Sequence, residues 1–389
     1  MKFLHLITDE KFPDSAYELF EAVAPGQNTF MLDGKSASIR HLKKIKPVRV
    51  SKYAFWSPKF IRSLEQYDAI ILHSLYAFSL EVLARLNDKV PVVWIGMGYD
   101  YYDLLTTGPS DLLKPDTLAF QRPVTSKLKK TPKQLINGIV RRGLHPNAKH
   151  KRKLVQKIDL FAPVLQSEYL LLKNAIGTQQ FPEYVRWNYG KIADLVDGKL
   201  GNIGITGKNI LIGNSAKPTN NQLDIFRVLA ETGVPADSKL IVPLSYGNRA
   251  HREKVIIEGR RLFGDQFEPI TEFMDLDEYI ELLSTCSSVI MNHLRQQGAG
   301  NLFIALFLGA KVYLDTANPL YAEFKAMGLT VSSINALLND TAVLNQPLPP
   351  SVVARQQEAI RRTKGRAAFE GYTENLVAEI IRLKGQKAV

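Results

Sequence analysis

The chain is 389 residues long, 45% apolar and 23% charged, with a net charge of +12 and one cysteine, Cys286. That length points to two domains rather than one, and the composition is that of a globular protein, not a disordered or fibrous one. A single cysteine excludes a disulfide framework and a cysteine-rich metal site and fits a reducing compartment; no apolar run approaches the roughly 20 residues that span a bilayer.

Residues 1 to about 100 alternate strand and helix. Strands are predicted at Phe3–Ile7, Asn28–Leu32, Val48–Val50, Ala69–Leu72 and Val90–Ile95, with helices at Ser15–Val23, Pro58–Gln66 and Phe78–Leu86. The opening MKFLHLITDEKF reads as a first strand, its apolar part too short and too soon acidic for a secretion signal. Alternation of this kind predicts a mostly parallel sheet with helices on both faces. In such sheets ligands bind beyond the carboxyl ends of the strands. Topology therefore singles out Thr8 and Asp9, His73 and Ser74, and the run from Gly96 to Asp100.

The positive charge is concentrated. Between Lys114 and Lys157, 13 Lys and Arg stand against one acid, Asp116, an excess equal to the +12 of the whole chain. Within it Leu135, Ile136, Ile139, Val140 and Leu144 recur at helical spacing beside Lys133, Arg141 and Arg142. The stretch reads either as a solvated excursion whose helix covers the domain's own core or as a basic helix on an anionic membrane. The missing counter-charge favours the membrane, contacted through Lys127–Lys153. No base-reading module accompanies it, so nucleic acid is not expected as a partner.

The first domain resumes with a strand at Asp159–Ala162 and a helix at Glu168–Asn174, and is expected to close near residue 200. Four glycines between Asp197 and Gly207 suggest a linker. A second domain, 208–345, opens with the strand Asn209–Ile212. It runs into Gly213, Asn214 and Ser215, and then Asn221 before the helix Gln222–Leu229. The strand Lys239–Leu244 ends at Tyr246, and a short strand near Phe267–Thr271 leads to Glu272. From Thr271 to Asp315 the chain reads as helix, strand, polar turn, helix and strand. The turn carries Arg295, Gln296, Gln297, Gly298 and Gly300, and Asn301 opens the apolar helix that ends before Gly309. Free N–H groups and the positive end of the helix dipole make such a turn an anion site, and a guanidinium can fork onto a phosphate. An ordinary turn of the same composition is the alternative, with Asn221 as a helix N-cap and Glu272 as a helix N-terminal acid. A long basic helix, Val352 to Lys384, is predicted to pack back on the first domain.

At these residues a family resemblance emerges. Ile210–Ser215 with Asn220 and Asn221, then Val242, Pro243 and Tyr246, then Glu272 with Tyr279, then Arg295–Gly300, resemble the bacterial TDP-N-acetylfucosamine:lipid II N-acetylfucosaminyltransferases. Trp94, Gly96, Gly98, Asp100 and Tyr102 look like that family's Trp-X-X-Gly-X-Asp stretch. The match covers roughly residues 208 to 335 and is patchy before them. The resemblance implies an α/β protein of GT-B architecture, two Rossmann-like domains facing across a cleft. It implies transfer of a 4-amino-4,6-dideoxy sugar from a TDP-sugar to a polyprenyl-diphosphate-linked saccharide. That is a step in enterobacterial common antigen or related polysaccharide synthesis, by a peripheral enzyme on the cytoplasmic face of the bacterial inner membrane.

Transfer needs a departing diphosphate stabilised and an acceptor hydroxyl deprotonated. No acidic pair after a strand reads as a metal site, so no metal or other cofactor is expected. Arg295, the N–H groups around Gly298 and Gly300 and the Gly213–Ser215 loop are assigned to the diphosphate, and Tyr246 and Glu272 to the thymine and ribose. Asp100, then Asp9, then His73 are the candidate bases. Competing readings are a GT-B transferase using UDP- or GDP-sugar, a nucleotide-sugar epimerase, and a membrane-attached nucleotide-sugar-binding protein without chemistry.

Overall fold

The computed structural model describes residues 1–34, 39–121, 148–190, 192–338 and 341–387. Two compact units are present. The first holds residues 1–107, 148–190 and 366–387, and the second holds 108–121 and 192–365.

The first unit is built on seven parallel strands in the order β3-β2-β1-β4-β5-β6-β7. These are β1 Phe3–Ile7, β2 Asn28–Asp33, β3 Val48–Val50, β4 Ala69–His73, β5 Val92–Ile95, β6 Leu160–Ala162 and β7 Glu183–Tyr184. Every residue of β1, β4, β5 and β6 is buried. That is why these strands read as continuous apolar runs and not as alternating ones: helices cover both faces of the sheet. The helices are α1 Pro13–Val23, α2 Pro58–Ser63, α3 Ala77–Arg85, α4 Tyr102–Leu105, α6 Ala148–Val155, α7 Gln166–Ile176 and, from the end of the chain, α15 Arg366–Lys387; α5, Pro115–Gln121, belongs to the second unit. Sequence order reverses between β1 and β4, so the crevice of a doubly wound sheet lies at their carboxyl ends.

The second unit repeats the plan with six parallel strands in the order β10-β9-β8-β11-β12-β13. They are β8 Asn209–Ile212, β9 Leu240–Pro243, β10 Phe267–Ile270, β11 Cys286–Met291, β12 Lys311–Leu314 and β13 Val331–Ser333. Helices α8 Ala193–Asp197, α9 Gln222–Thr232, α10 Arg249–Phe263, α11 Leu276–Ser284, α12 Ala299–Leu308, α13 Pro319–Ala326 and α14 Pro350–Lys364 accompany them. Local chemistry fixes several starts. Asp275 caps α11 by accepting from the N–H groups of Asp277 and Glu278, while Asn248 and Asn318 cap α10 and α13. Here the reversal falls between β8 and β11.

Three boundaries differ from the sequence expectation. The predicted single helix from Val352 to Lys384 is two, α14 in the second unit and α15 in the first, parted at Gly365. A side chain there would come within 2.6 Å of the Arg361 carbonyl and 2.7 Å of Asp197 Oδ1. Gly198, Gly201 and Gly204 do not form the division between units, which falls between residues 191 and 192. Of the basic excursion expected over residues 104–157 of the first domain, residues 108–121 join the second unit instead. The Asp224 carboxylate accepts from the N–H groups of Asp116 and Thr117 and from the Thr117 hydroxyl. The amphipathic pattern from Leu135 to Leu144 lies outside the described residues. Within Lys127–Lys153, Lys151 does not face a membrane. It is 6% exposed, and its ammonium donates to the Asp100 carbonyl (2.7 Å) and both Asp103 oxygens (2.9 Å).

Candidate functional site

In the second unit, the loops after β8, β9 and β11 are sewn together by amide side chains. Gly213 has φ +72°, a conformation open to glycine, and a Cβ there would strike Asn220 Oδ1 at 2.8 Å. Asn220 Oδ1 accepts from the Asn214 N–H (2.8 Å) and from His293 Nε2 (2.9 Å), joining the β8 loop to the β11 loop. Gln297 Nε2 donates to Asn214 Oδ1 (2.9 Å), and Gln297 Oε1 accepts from the Thr219 hydroxyl (2.8 Å) and from Arg295 Nη2 (3.0 Å). Ala216 pairs with Gly247 in a parallel bridge, tying in the loop that carries Tyr246. Asn214 Nδ2 lies 3.4 Å from the Tyr246 hydroxyl.

The sequence-assigned donor residues divide into two layers. Gly213, Asn214, Ser215, Asn221, Gln296 and Gln297 are buried. Ser215 and Asn221 are spent on the scaffold: the Ser215 hydroxyl accepts from Asn220, and Asn221 bonds the Lys114 N–H and the Leu112 and Asn292 carbonyls. Asn221 does precede α9, but it sits at φ +50° and offers the helix no side-chain cap. Arg295, Gly298, Gly300, Asn301, Tyr246 and Glu272 keep exposed or half-buried surface. Glu272 stands in the loop after β10, outside the capped first turn of α11, so the helix-acid alternative does not describe it.

Gly298 opens α12 at φ +68°, against Asn214. The first intrahelical bond comes from the Leu302 N–H to the Gly298 carbonyl, which leaves the N–H groups of the first turn aimed out of the helix end. Lys217, which sequence reasoning passed over, supplies the second cation. Its surroundings and then the Arg295 guanidinium pull its pKa below the usual lysine value. Two cations that disfavour one another's charge at a helix N-terminus form a site that an anion relieves. Strand-end residues Asn292 and His293 each keep one buried atom, Oδ1 and Nδ1, without a partner among the described residues. Burial, and then Arg295, hold the His293 imidazole neutral, with its pKa lowered to about 3.

In the first unit, none of the three expected bases is free for that role. His73 is buried between His5 Nδ1 and the Tyr189 hydroxyl, each 3.0 Å from a ring nitrogen. The Asn28 amide nitrogen donates to Glu21, so its Oδ1 accepts from His5 Nε2. His5 Nδ1 must then accept from His73 Nε2, and His73 Nδ1 must accept the tyrosine hydroxyl. Burial first, then His5, keep His73 far below the ordinary imidazole pKa. The Asp9 carboxylate accepts from the N–H groups of Arg40, His41 and Leu42, at 2.7, 2.9 and 3.2 Å. Burial opposes its charge, and the three amides outweigh burial to give a lowered pKa. Asp100 is 4% exposed and accepts from the N–H groups of Leu75 (2.9 Å) and Met97 (2.8 Å) and from the Trp94 indole (2.8 Å). Burial raises its pKa despite these donors. Its geometry is that of an anchor for the loops after β4 and β5. Gly96 belongs to the same fitting, since a Cβ would meet the Tyr101 and Phe161 rings at 2.7 and 2.8 Å.

The carboxylate that does reach the crevice is Glu10, one residue past Asp9. Glu10 Oε1 accepts from the Tyr99 hydroxyl (3.1 Å), which also lies 3.4 Å from the Ser74 hydroxyl. Ser74 directly follows β4 and holds φ +85°, a strained value for a residue with a side chain. Glu10, Ser74 and Tyr99 thus meet where β1 and β4 diverge. Its sequence signal was only its place in the Thr8-Asp9-Glu10 run. Among the described residues no group of three or more His, Cys, Asp or Glu is gathered as a metal ligand set.

Comparison with known proteins agrees with this plan. Residues 202–361 match the family model described as 4-alpha-L-fucosyltransferase, glycosyl transferase group 56. Among solved structures, Anabaena HepE in complex with UDP and glucose is similar at 14% identity and a TM-score of 0.52, over 100% of this chain and 98% of that one. The trehalose 6-phosphate synthase of Burkholderia multivorans is similar at 10% identity and 0.61, over 100% and 98%. The lipopolysaccharide outer core galactosyltransferase WaaB follows at 10% identity and 0.61, over 97% and 99%. The group 56 match runs through the loops after β8, β9 and β11 but takes in fewer than half of the residues of the chain, and the likeness to these solved structures, at 10–14% identity, shows the GT-B fold over its whole length.

Proposed function

We propose that the protein transfers a 4-amino-4,6-dideoxy sugar of the N-acetylfucosamine type from TDP to a polyprenyl-diphosphate-linked saccharide. The observation that carries this reading is the anion site of the second unit: Arg295 held by Gln297, Lys217 beside it, and the α12 N-terminus opened by Gly298. These groups neutralise the diphosphate as the bond from its oxygen to the sugar C1 breaks. The half-exposed Tyr246 ring offers the thymine a stacking face, and Glu272 takes the ribose hydroxyls. The acceptor hydroxyl oxygen bonds to C1 and gives its proton to Glu10, whose carboxylate Tyr99 orients. The acceptor, the pathway and the peripheral inner-membrane location rest on the sequence resemblance.

Thermal-shift titration with TDP, UDP and GDP tests the donor. Stabilisation by TDP at concentrations where UDP and GDP give none supports the reading. Equal or stronger stabilisation by UDP or GDP moves it to another nucleotide, and no response to any of the three removes the donor site from these loops.

A further inference from the structure

Beyond β3, the edge strand of the first sheet, the chain presents aromatic rings to solvent. Trp56 is 69% exposed and Tyr53 59%, while Phe55 and Phe60 beside them are half-buried. Single exposed apolar residues are ordinary; two large rings three positions apart, both open, are not. Their setting is mainly basic, with Glu81 held by Arg85 and Asp33 in the field of Lys52 as the acids beside it. From residue 34 to residue 64 there is no Asp or Glu, and Lys52, Lys59 and Arg62 are all exposed around the rings. Lys52 Nζ sits 4.9 Å from the Tyr53 ring centre. The guanidinium of Arg85, itself paired with Glu81, lies 4.7 Å from the centre of Trp56 and 5.0 Å from that of Phe55.

We propose that this β3 corner, built on Tyr53, Trp56, Lys52, Lys59 and Arg62, is a docking surface for an anionic lipid bilayer. Indole and phenol rings favour the boundary between headgroups and acyl chains, where the ring body is buried and the polar atom stays wet. Each flanking lysine or arginine adds attraction to an anionic leaflet. A single-stranded nucleic acid would also welcome aromatic rings among cations, but it requires an open ring face for stacking. Arg85 already occupies one face of Trp56. Among the described residues no helix is long and apolar enough to cross a membrane, so contact through this corner is interfacial. All strands of the sheet are parallel, and the residues after β3 therefore share an edge with Glu10 and Ser74. The surface deepens the lipid-linked-acceptor reading and rests on it for its purpose, because a bilayer held here borders the edge that carries the base.

The chain contains three tryptophans, and Trp94 and Trp187 are 0% and 2% exposed. A shift of emission on membrane contact therefore reports Trp56. The full-length protein is mixed with phosphatidylcholine vesicles, with or without about a quarter phosphatidylglycerol, and followed by flotation and fluorescence. Expected are binding and a blue shift with anionic vesicles only, both weakened at least about tenfold in about 0.5 M salt. Trp56→Ser should abolish the shift, and the triple variant Lys52→Ser, Lys59→Ser, Arg62→Ser should weaken binding about tenfold or more. All four side chains are exposed, and an unchanged melting temperature verifies folding. No binding by the wild type, binding without a shift, or undiminished binding by the variants overturns the proposal. So does tight binding of poly(U) in place of vesicles. The two readings also separate. Vesicle binding with no turnover on any polyprenyl-diphosphate acceptor would sink the acceptor reading alone. Turnover on a short-chain soluble acceptor without vesicle binding would sink the docking surface alone.

Discussion

The Trp94 indole donates to the Asp100 carboxylate at 2.8 Å, a bond between two buried side chains six residues apart that closes the loop after β5. With the Leu75 and Met97 amides on the same carboxylate, Asp100 positions the carboxyl edge of the first sheet. Asp100→Asn replaces an acceptor oxygen by an NH2 group facing donors, and charge-assisted bonds of this kind contribute about 1.5–3 kcal/mol each. The variant should lose about 2 kcal/mol or more of stability, read as a lower denaturant midpoint. A wild-type midpoint with abolished turnover would return Asp100 to the role of base.

Glu10 is the residue expected to lose chemistry without losing fold. Glu10→Gln keeps an acceptor for the Tyr99 hydroxyl and should lower kcat by about 10²–10⁴, with thymidine diphosphate affinity unchanged. Tyr99→Phe should cost less and leave the melting temperature alone, since that ring is 49% exposed. Steady-state kinetics beside equilibrium nucleotide titration decides it, and wild-type kcat in the glutamine variant removes Glu10 from the mechanism.

Arg295→Ala should reduce kcat/KM by about 10²–10³ and Lys217→Ala by a smaller factor, each removing one cation from a developing diphosphate charge. Because Lys217 and Arg295 disfavour one another's charge, loss of either relieves the survivor. Each single loss is thereby cushioned, so the double variant should lose more than the two single losses compound to. Isothermal titration with thymidine diphosphate gives the couplings; strict additivity would separate the two cations.

The buried histidines set an acid limit. His5 and His293 are lowered to about 3 and His251 to about 4, in each case chiefly by burial, whereas unfolded histidine titrates at 6.5. The unfolded chain therefore binds more protons at every pH between these values. Stability from this source is complete above about 6.5 and falls as pH drops toward 3, by up to about 1.4 kcal/mol per pH unit for each histidine. Denaturant midpoints from pH 7 to 5 should fall in the wild type and fall less steeply in His5→Gln. Parallel slopes would refute the assignment.

The strands were legible because parallel strands covered on both faces are short unbroken apolar runs, as from Phe3 to Ile7 and from Ala69 to Leu72. The cluster proposed to hold the diphosphate was legible because its parts are local: Arg295, Gln297 and Gly298 are consecutive or nearly so with the helix they open. The surroundings of the expected bases were not. What disqualifies Asp9, Asp100 and His73 is a donor supplied from elsewhere, Arg40 for Asp9, Leu75 for Asp100 and Tyr189 for His73, and periodicity carries no record of such pairings. Lys217 was missed for a similar reason, since only folding brings it within the field of Arg295.

The parting of the final helices at Gly365 returns residues 366–387 to the first unit, which is therefore not written as one uninterrupted stretch of chain. Trp187, near the middle of the sequence, donates its indole N–H to Thr373 on α15, and Phe369 presses on Gly190. A fragment ending near residue 200 would lack those partners, and its tryptophan would be left with a bare face. Exchange of the second unit between relatives thus calls for grafting the interior of the chain, with the last twenty-odd residues kept from the parent that supplies the first unit.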